Sequence, residues 1–293
     1  MKICSTVHIL EKRLGSIERA LEMLKEANFD LADLSLFFMK LGKEHRFSGD
    51  NYKEEAIKLG EYAKSIGIPF YQAHAPFEFD FKRHDLETEI IPTVYRSIEI
   101  AALAGCSCIV VHPLQHYGYF GYEEELFADN MKYYANFVPL CEQYGIKICV
   151  ENMWKRHPYR KCIDHSVCSR PAEFNRYVDT LNETHPGNHF IACLDLGHTV
   201  LVGEEPCAMI RAMGSRIGAL HVHDNNYHDD SHTIPGLGLM DHPAICAALK
   251  EVGYNGVYTL EADSFIIGLP DELMQTALNF MYTVSRHFAD LID

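Results

Sequence analysis

The chain alternates between short apolar segments and longer amphipathic segments along its whole length. Several short segments, such as CSCIVV and IKICV, are apolar without alternation, which is typical of strands buried on both faces of a parallel sheet. The pattern predicts eight strands: Ile3–His8, Phe29–Leu36, Pro69–Ala75, Ser107–His112, Lys147–Asn152, His189–Asp195, Ile217–His223 and Gly256–Glu261.

The segments between the strands have helical spacing of apolar residues. Gly67, Gly105, Gly145 and Gly253 each follow such a segment and precede a strand, where a left-handed residue commonly ends a helix. The predicted helices are Ser16–Ala27, Tyr52–Ile66, Glu87–Ala104, Tyr122–Tyr144, Pro171–Asn182, Glu205–Met213, Pro243–Val252 and a last one from Asp271 to about Ala289.

Strands that alternate regularly with helices predict an α/β fold. Eight of them in 293 residues favour one domain over residues 1–293, a closed (β/α)8 TIM barrel with parallel strands. The alternative, a doubly wound open sheet, would normally carry a glycine-rich phosphate loop after its first strand, and this sequence has none there. No nucleotide cofactor is therefore expected. Two irregular segments, 153–170 and 224–241, have the length of functional loops.

Composition narrows the class of protein. The formal net charge of −15 disfavours nonspecific binding to nucleic acid, which needs Lys and Arg to neutralise phosphates. No apolar stretch approaches the ~20 residues of a membrane helix, and the N-terminal segment has the pattern of a strand rather than a signal peptide. We therefore expect a cytoplasmic protein that does not bind a membrane, with its ten cysteines reduced.

Acidic residues and histidines recur at the predicted strand ends. In a TIM barrel the C-terminal ends of all strands meet at one face, so these side chains should share a pocket. Several carboxylates in one pocket would repel each other, and a bound cation removes that cost. The donor types suit Mn, Mg, Co or Zn. The residues are His74, His112, Glu151, Asp195, His221, His223 and Glu261.

The motifs that carry these residues resemble a known family. The segments HAP, VVHP, VEN, CLDLGH, HVHDNNYHDDSHTIPGLGLMD and LEAD, from about residue 70 to 262, look like the xylose isomerase-like TIM-barrel superfamily. That superfamily contains sugar and sugar-phosphate isomerases and epimerases, together with zinc-dependent apurinic endonucleases. The resemblance implies a divalent metal ion and a small carbohydrate substrate.

Residue by residue, the resemblance to the isomerases and epimerases assigns one metal ion to Glu151, Asp195, His221 and Glu261. It also makes Glu151 and Glu261 the catalytic pair, which removes and returns a proton next to a carbonyl through an enediolate. Ketose 3-epimerases have a glutamate where this chain has His157 and an arginine where it has Tyr227. The sugar therefore stays open, as does the choice between isomerase, epimerase and a sugar lyase or dehydratase.

The resemblance to the endonucleases implies a different site, with three zinc ions and nine ligands. Five residues would join the four above, either as further metal ligands or as substrate-binding groups: His74, His112, His198, Asp230 and His232. The acidic charge and the lack of a continuous basic surface make phosphodiester hydrolysis the second hypothesis. A noncatalytic barrel is disfavoured, because unused buried carboxylates would be costly.

The segment MWKRHPYRK supplies the remaining candidates. Trp154, His157 and Arg160 lie in a basic loop directly after the Glu151 strand, and we predict that this loop contacts an anionic or sugar group. A solvated loop with surface ion pairs is the alternative. We predict that His8 lines the pocket wall and that Phe37 and Phe38 belong to the core. Barrels of this kind often form homo-oligomers through helices or loops.

Overall fold

The structure is a computed structural model that describes residues 1–39, 45–77, 79–116, 118–157 and 159–293. Eight parallel strands form one sheet, and two further strands, β6 and β7, form a separate antiparallel hairpin. The strands are β1 Ile3–Thr6, β2 Leu31–Ser35, β3 Phe70–His74, β4 Cys108–Val111, β5 Lys147–Glu151, β6 Trp154–Arg156, β7 Ile163–His165, β8 Phe190–Asp195, β9 Ile217–His221 and β10 Tyr258–Leu260.

The sheet closes on itself. Its strand order is β10-β1-β2-β3-β4-β5-β8-β9. The two outer strands then meet beyond the end of β9, where Val222 N donates to Thr259 O at 2.9 Å and Glu261 N donates to Val222 O at 3.0 Å. The predicted TIM barrel is confirmed, and all eight of its predicted strands are present.

Helices follow the strands around the barrel. A π-helical turn at Leu86–Ile90 leads into α4, and short 3-10 turns precede β9 and α12. The helices are α1 His8–Leu14, α2 Ile17–Glu26, α3 Tyr52–Ser65, α4 Ile91–Ala104, α5 Glu123–Ala135, α6 Val138–Tyr144, α7 Pro171–Thr184, α8 Leu196–Leu201, α9 Pro206–Met213, α10 His242–Glu251, α11 Ser264–Ile267 and α12 Met274–Ile292. No helix in the described part of the chain is both long and apolar enough to cross a membrane.

Several boundaries differ from the sequence-based prediction by a few residues, and the short helices α8 and α11 were not predicted. The first strand ends at Thr6 rather than His8, and His8 begins α1, which the pattern did not indicate. The predicted helix 122–144 is two helices, because Pro139 has no N–H to donate to the carbonyl of Ala135, where α5 ends. The irregular segment after β5 contains the β6–β7 hairpin.

Small side chains fill the interior of the barrel, and larger ones pack between the sheet and the helices. The interior residues of β4, β5, β8 and β9 form one buried cluster, Cys108, Val110, Cys149, Cys193 and Ala219. Their neighbours on the same strands, such as Ile109 and Ile148, belong to the outer cluster that packs against the helices. This alternation follows from the two-residue period of a strand, and it decides which side chains can face the barrel axis.

Helices α3 and α4 pack so closely at Gly60 that a Cβ atom there would lie 2.4 Å from the carbonyl oxygen of Ala104. Alanine normally favours a helix by up to ~1 kcal/mol relative to glycine. In Gly60→Ala, however, overpacking against a backbone that cannot rotate away should dominate, with a net loss of about 1–3 kcal/mol. We expect a lower melting temperature by differential scanning calorimetry.

The control for this substitution is Gly268→Ala, where no atom lies within 4 Å of the added Cβ atom and φ is −90°. This variant should melt close to the unsubstituted protein. An equal or higher melting temperature for Gly60→Ala would show that α3 and α4 can separate at little cost.

Candidate metal centre

The candidate ligands face the barrel axis because of their position in the strands. Alternate side chains of a strand lie on the same face, so a residue two positions beyond an interior residue also points inward. Three strands show this directly: Cys149, Cys193 and Ala219 are interior residues, and Glu151, Asp195 and His221 follow each of them by two positions. The site is therefore a continuation of the barrel interior at the C-terminal ends of the strands.

Four of these side chains converge on one point. The Nδ1 atom of His221 lies 2.7 Å from Glu151 Oε1, 3.0 Å from Glu261 Oε2 and 3.9 Å from Asp195 Oδ2. The ligand atoms of all four residues lie within 4.8 Å of one another. Three oxygens and one nitrogen at these distances could hold one divalent ion, as the sequence predicted for this set.

Two buried amide side chains, those of Gln72 and Asn152, hold members of this four-residue group by hydrogen bonds. The Nε2 atom of Gln72 lies 3.0 Å from His221 Nε2 and 2.9 Å from Asp33 Oδ2, so it restrains the ring whose Nδ1 faces the carboxylates. Asn152 brackets the backbone of Asp195: its Nδ2 donates to Asp195 O at 2.9 Å and its Oδ1 accepts from Asp195 N at 2.8 Å. The sequence analysis did not assign a role to these supporting residues.

Glu151 also belongs to a second group, with His74 and His112. Its Oε2 atom lies 2.8 Å from His112 Nε2 and 3.7 Å from His74 Nε2, while the two imidazole nitrogens are 3.1 Å apart. The two oxygens of one carboxylate thus serve two groups of candidate ligands. A bridging carboxylate between two ions would have this arrangement.

A third group consists of His198, Asp230 and His232. Asp230 Oδ2 lies 3.2 Å from His232 Nε2 and 3.4 Å from His198 Nε2, and it accepts a hydrogen bond from Trp154 Nε1 at 3.1 Å. His232 has φ of 43°, in the left-handed region that costs a residue with a side chain some free energy. This backbone conformation places the ring of His232 against Asp230.

Backbone hydrogen bonds hold the loop that carries Asp230 and His232. Asp224 pairs with Thr233 through both backbone groups, at 2.8 and 3.1 Å, and this returns the chain to the end of β9. The side chain of Asp224 accepts from the backbone N–H groups of Gly236, Gly238 and Met240. Although burial alone would raise the pKa of Asp224, its contact with His242 and these N–H donors lower it overall.

Three of the histidines outside the four-residue group are held by the same kind of hydrogen bond, from Nδ1 to a backbone carbonyl oxygen. The Nδ1 atom of His74 lies 2.7 Å from Ala75 O, that of His198 lies 2.8 Å from Asn152 O, and that of His232 lies 2.7 Å from Glu261 O. A carbonyl oxygen can only accept, so each Nδ1 carries a proton. Each Nε2 then faces the cavity, where it could bind an ion or a polar group of a substrate.

Close packing against His223 explains why the DLGH segment has a glycine at position 197. A Cβ atom at this position would lie 2.0 Å from the ring of His223. That ring stacks on His232 with 4.0 Å between centroids, and its Nε2 lies 3.1 Å from Asp195 Oδ1. A larger residue than glycine would therefore displace His223 between two of the candidate ligands.

Without a bound ion, protonated histidines provide the positive charge that compensates the buried carboxylates. Burial opposes ionisation of Glu151, but the charge of His221, together with hydrogen bonds from His112 and His221, outweighs it and holds the pKa of Glu151 well below the usual range. Burial lowers the pKa of His112, so this ring contributes as a neutral hydrogen-bond donor. Burial also disfavours charged His198, yet Asp195 and Asp230 raise the pKa of His198 to about 10. Divalent ions could replace these protons, because the ligands of a metal ion must be deprotonated.

Two orphaned oxygens support the fit of this donor set to metal ions. Glu151 Oε2 and Asp230 Oδ1 are buried and have no hydrogen-bond partner among the described residues, although histidine nitrogens lie close to both. Buried carboxylate oxygens are normally satisfied, so each such atom requires an explanation. A cation or a hydroxyl group of a bound substrate beside each oxygen would satisfy it.

Residues of all three groups line one side of a cavity of about 400 Å³, although Asp195 and His221 are not among its lining residues. Its other walls are largely aromatic, with Phe37, Phe77 and Trp154, and they also include His8 and Asp263. His8 lines the wall as predicted. Phe38 also lines it and is 52% exposed, so its predicted place in the core was wrong.

The predicted substrate loop divides between two places. Trp154 faces the cavity, but His157 and Arg160 are absent from its walls. The Nδ1 atom of His157 instead accepts from the backbone N–H groups of Tyr159 and Arg160, which closes the turn of the hairpin, and Arg160 is exposed. His157 faces a neighbouring depression of about 470 Å³ together with Lys155 and Arg156. Pro158 of this loop lies outside the described residues.

Comparison with known proteins identifies the family. The family model described as xylose isomerase-like TIM barrel matches residues 21–284. The chain belongs to the xylose isomerase-like TIM barrel family. An uncharacterized protein of Methanocaldococcus jannaschii is 27% identical over 257 residues, which cover 84% of this chain and 79% of that relative. An uncharacterized protein of Mycobacterium leprae is 25% identical and covers 76% and 79%.

Solved structures of this fold align with the whole chain. A D-tagatose 3-epimerase-like protein is 21% identical with a TM-score of 0.71, over 100% of this chain and 98% of that one. A D-psicose 3-epimerase, crystallised in the presence of D-fructose, is 16% identical with a TM-score of 0.72, over 100% of both chains. The IolI protein with a bound zinc atom is 20% identical with a TM-score of 0.71, over 100% and 98%. At these identities the likeness concerns the fold.

Metal addition gives a direct test of the four-residue group. With Mn²⁺, Co²⁺ or Zn²⁺ at about 100 times the dissociation constant, we expect a stabilisation near 2.7 kcal/mol, which EDTA reverses. Glu151→Gln should lose most of this shift in melting temperature, because Glu151 belongs to two ligand groups. Glu142→Gln changes an exposed glutamate in α6 and should keep the shift. An unchanged metal-induced shift in Glu151→Gln would contradict the assignment.

Proposed function

We propose that this protein is a divalent-metal-dependent sugar or sugar-phosphate isomerase or epimerase. The observation that carries the proposal is the position of two carboxylates: Glu151 and Glu261 both contact His221 Nδ1 and both line the same cavity. A carbonyl oxygen held at this point would have two bases close to its neighbouring carbon. Proton removal by one carboxylate and return by the other is the chemistry of isomerisation and epimerisation.

Different residues of the site would bind the ion, position its ligands and transfer the proton. Asp195 and His221 would complete the ligand set with the two glutamates, while Gln72 and Asn152 keep His221 and Asp195 in place. A divalent ion in this group would supply positive charge to stabilise the enediolate form of the substrate. Burial of Glu151 removes competing water from the carboxylate that handles the proton.

The cavity supports a small polyhydroxylated ligand. Phe37, Phe77 and Trp154 offer apolar faces for the C–H groups of a sugar, whereas His74 and His198 offer nitrogen atoms for its hydroxyl groups. The fold shared with D-tagatose 3-epimerase-like and D-psicose 3-epimerase proteins agrees with a carbohydrate substrate.

Isotope exchange tests this chemistry even when the product is unidentified. The metal-loaded protein should introduce deuterium from D2O next to the carbonyl group of at least one of D-fructose, D-tagatose and D-psicose, as measured by NMR. Glu261→Gln should lower the exchange rate by about 10²–10⁴-fold, the usual contribution of a proton-transferring group. Glu142→Gln should exchange at the unsubstituted rate, and full activity of Glu261→Gln would refute its role in proton transfer.

A second candidate function is metal-dependent phosphodiester hydrolysis, as in apurinic endonucleases. The observation that favours it is that the nine residues implied by the resemblance to the endonucleases all fall within groups of candidate ligands, more than one of which contains Glu151. This candidate requires two or three ions per chain, whereas the isomerase or epimerase requires one in the four-residue group.

Elemental analysis of the metal-loaded protein separates the two functions. We expect one tightly bound ion per chain, and we expect His232→Asn to leave that number unchanged, because His232 lies outside the four-residue group. Three ions per chain, a loss of one in His232→Asn, and cleavage of abasic DNA without deuterium exchange into the three sugars would instead establish the hydrolase.

A further inference from the structure

A second polar pair, which contains no candidate metal ligand, lines the same cavity. His8 begins α1 after the first strand, and Asp263 lies two residues beyond Glu261 after the last strand. Strands β1 and β10 are neighbours in the barrel, paired from Ile3 and Tyr258 onward, so their C-terminal connections meet. Both side chains line the 400 Å³ cavity.

The contact between the two residues determines which atom of His8 is available. His8 Nδ1 lies 3.1 Å from Asp263 Oδ2. A carboxylate oxygen accepts a hydrogen bond, so Nδ1 carries the proton and the neutral ring keeps its lone pair on Nε2. That Nε2 atom is buried and has no hydrogen-bond partner among the described residues. Buried polar nitrogen atoms are rarely left without a partner. His8 lines the cavity, where a bound group could provide one.

Aromatic contacts hold the ring of His8 in this orientation. Phe37 packs edge-on against His8 with 4.7 Å between ring centroids, and Phe38 packs at 5.2 Å. Phe37 also packs edge-on against His74, again with 4.7 Å between ring centroids. The imidazoles of His8 and His74 therefore lie no farther apart than twice that distance. With carbon–carbon bonds of about 1.5 Å, a five- or six-carbon polyol spans much of this gap.

We propose that His8 and Asp263 form a hydroxyl-binding subsite for the end of the substrate remote from the reacting carbon. His8 Nε2 accepts a hydrogen bond from a hydroxyl group there, and Asp263 positions His8 and fixes its tautomer. The inference rests on the proposed function, since it assumes that a polyol chain extends from the candidate metal centre. It adds a requirement on the substrate, namely a free hydroxyl group at the remote end.

This subsite should discriminate by chain length and by the presence of the hydroxyl group. A ligand that leaves His8 Nε2 without a partner keeps a buried acceptor unsatisfied, and sites of this kind reject such ligands strongly. Under this proposal, a three-carbon polyol held at the candidate metal centre should not reach His8. A five-carbon polyol should reach it and bind more tightly.

The experiment measures the binding of glycerol, erythritol and xylitol to the zinc-loaded protein by calorimetry. In the unsubstituted protein we expect the affinity to rise by about 10-fold or more once the chain reaches His8, the effect of one well-placed hydrogen bond to a buried acceptor. His8→Phe keeps an aromatic ring beside Phe37 and Phe38 but removes the acceptor, and it should lose this gain while binding glycerol as before.

His287→Phe is the matched control, because His287 lies on α12 and does not line the cavity. It should keep the full dependence on chain length. A second readout needs no substitution in the measured protein: 15N NMR of the histidine side chains should show His8 protonated at Nδ1, with an Nε2 signal that moves when xylitol is added. His8→Phe serves only to assign this signal.

The outcomes separate this inference from the proposed function. If zinc-loaded protein binds xylitol and the sugars exchange deuterium, but His8→Phe keeps the affinity gain or the His8 Nε2 signal stays still, the subsite is refuted and the isomerase chemistry stands. If neither polyol binding nor exchange occurs in the unsubstituted protein, the proposed function fails and the subsite fails with it.

Discussion

The buried carboxylate of Glu151 is the constraint on which the rest of the site depends. Its side chain is 1% exposed, and each of its oxygens faces a different imidazole, His221 on one side and His112 on the other. An uncompensated charge in such a place would cost several kcal/mol. The strands around it therefore end in histidines, and the donor set suits a cation. Residues outside the candidate ligand set, such as Asn152 and Gln72, restrain the side chains that provide this compensation.

Strand periodicity explains why much of this site could be predicted from the sequence. A residue at the C-terminal end of a buried parallel strand has only two directions available, and its interior neighbours show which one it takes. Cys149 and Glu151 illustrate this, as do Cys193 and Asp195, since each pair shares one face of its strand. Short local motifs sufficed because the barrel itself brings the strand ends together.

Features that depend on contacts between distant segments could not be predicted in this way. His8 and Asp263 are 255 positions apart, and nothing in either segment indicates that they meet. The basic loop was predicted from composition, which does not show how a hairpin turns, so Trp154 faces the cavity while His157 and Arg160 do not. The division of the helix at Pro139 was predictable from chemistry, yet the apolar spacing continued through it.

The number of bound ions sets the net charge of the cavity, and this charge determines which class of substrate can bind. The four candidate carboxylates, Glu151, Asp195, Asp230 and Glu261, and the carboxylate of Asp263 in the cavity wall carry a charge of −5 between them, so with neutral histidines one divalent ion leaves −3 and three leave +1. A phosphodiester would be repelled by the first state and attracted by the second, whereas an uncharged sugar tolerates the first. A phosphorylated sugar could bind in the first state only with its phosphate group away from the carboxylates. The basic side of the hairpin, at Lys155 and Arg156, offers the opposite charge in the neighbouring depression.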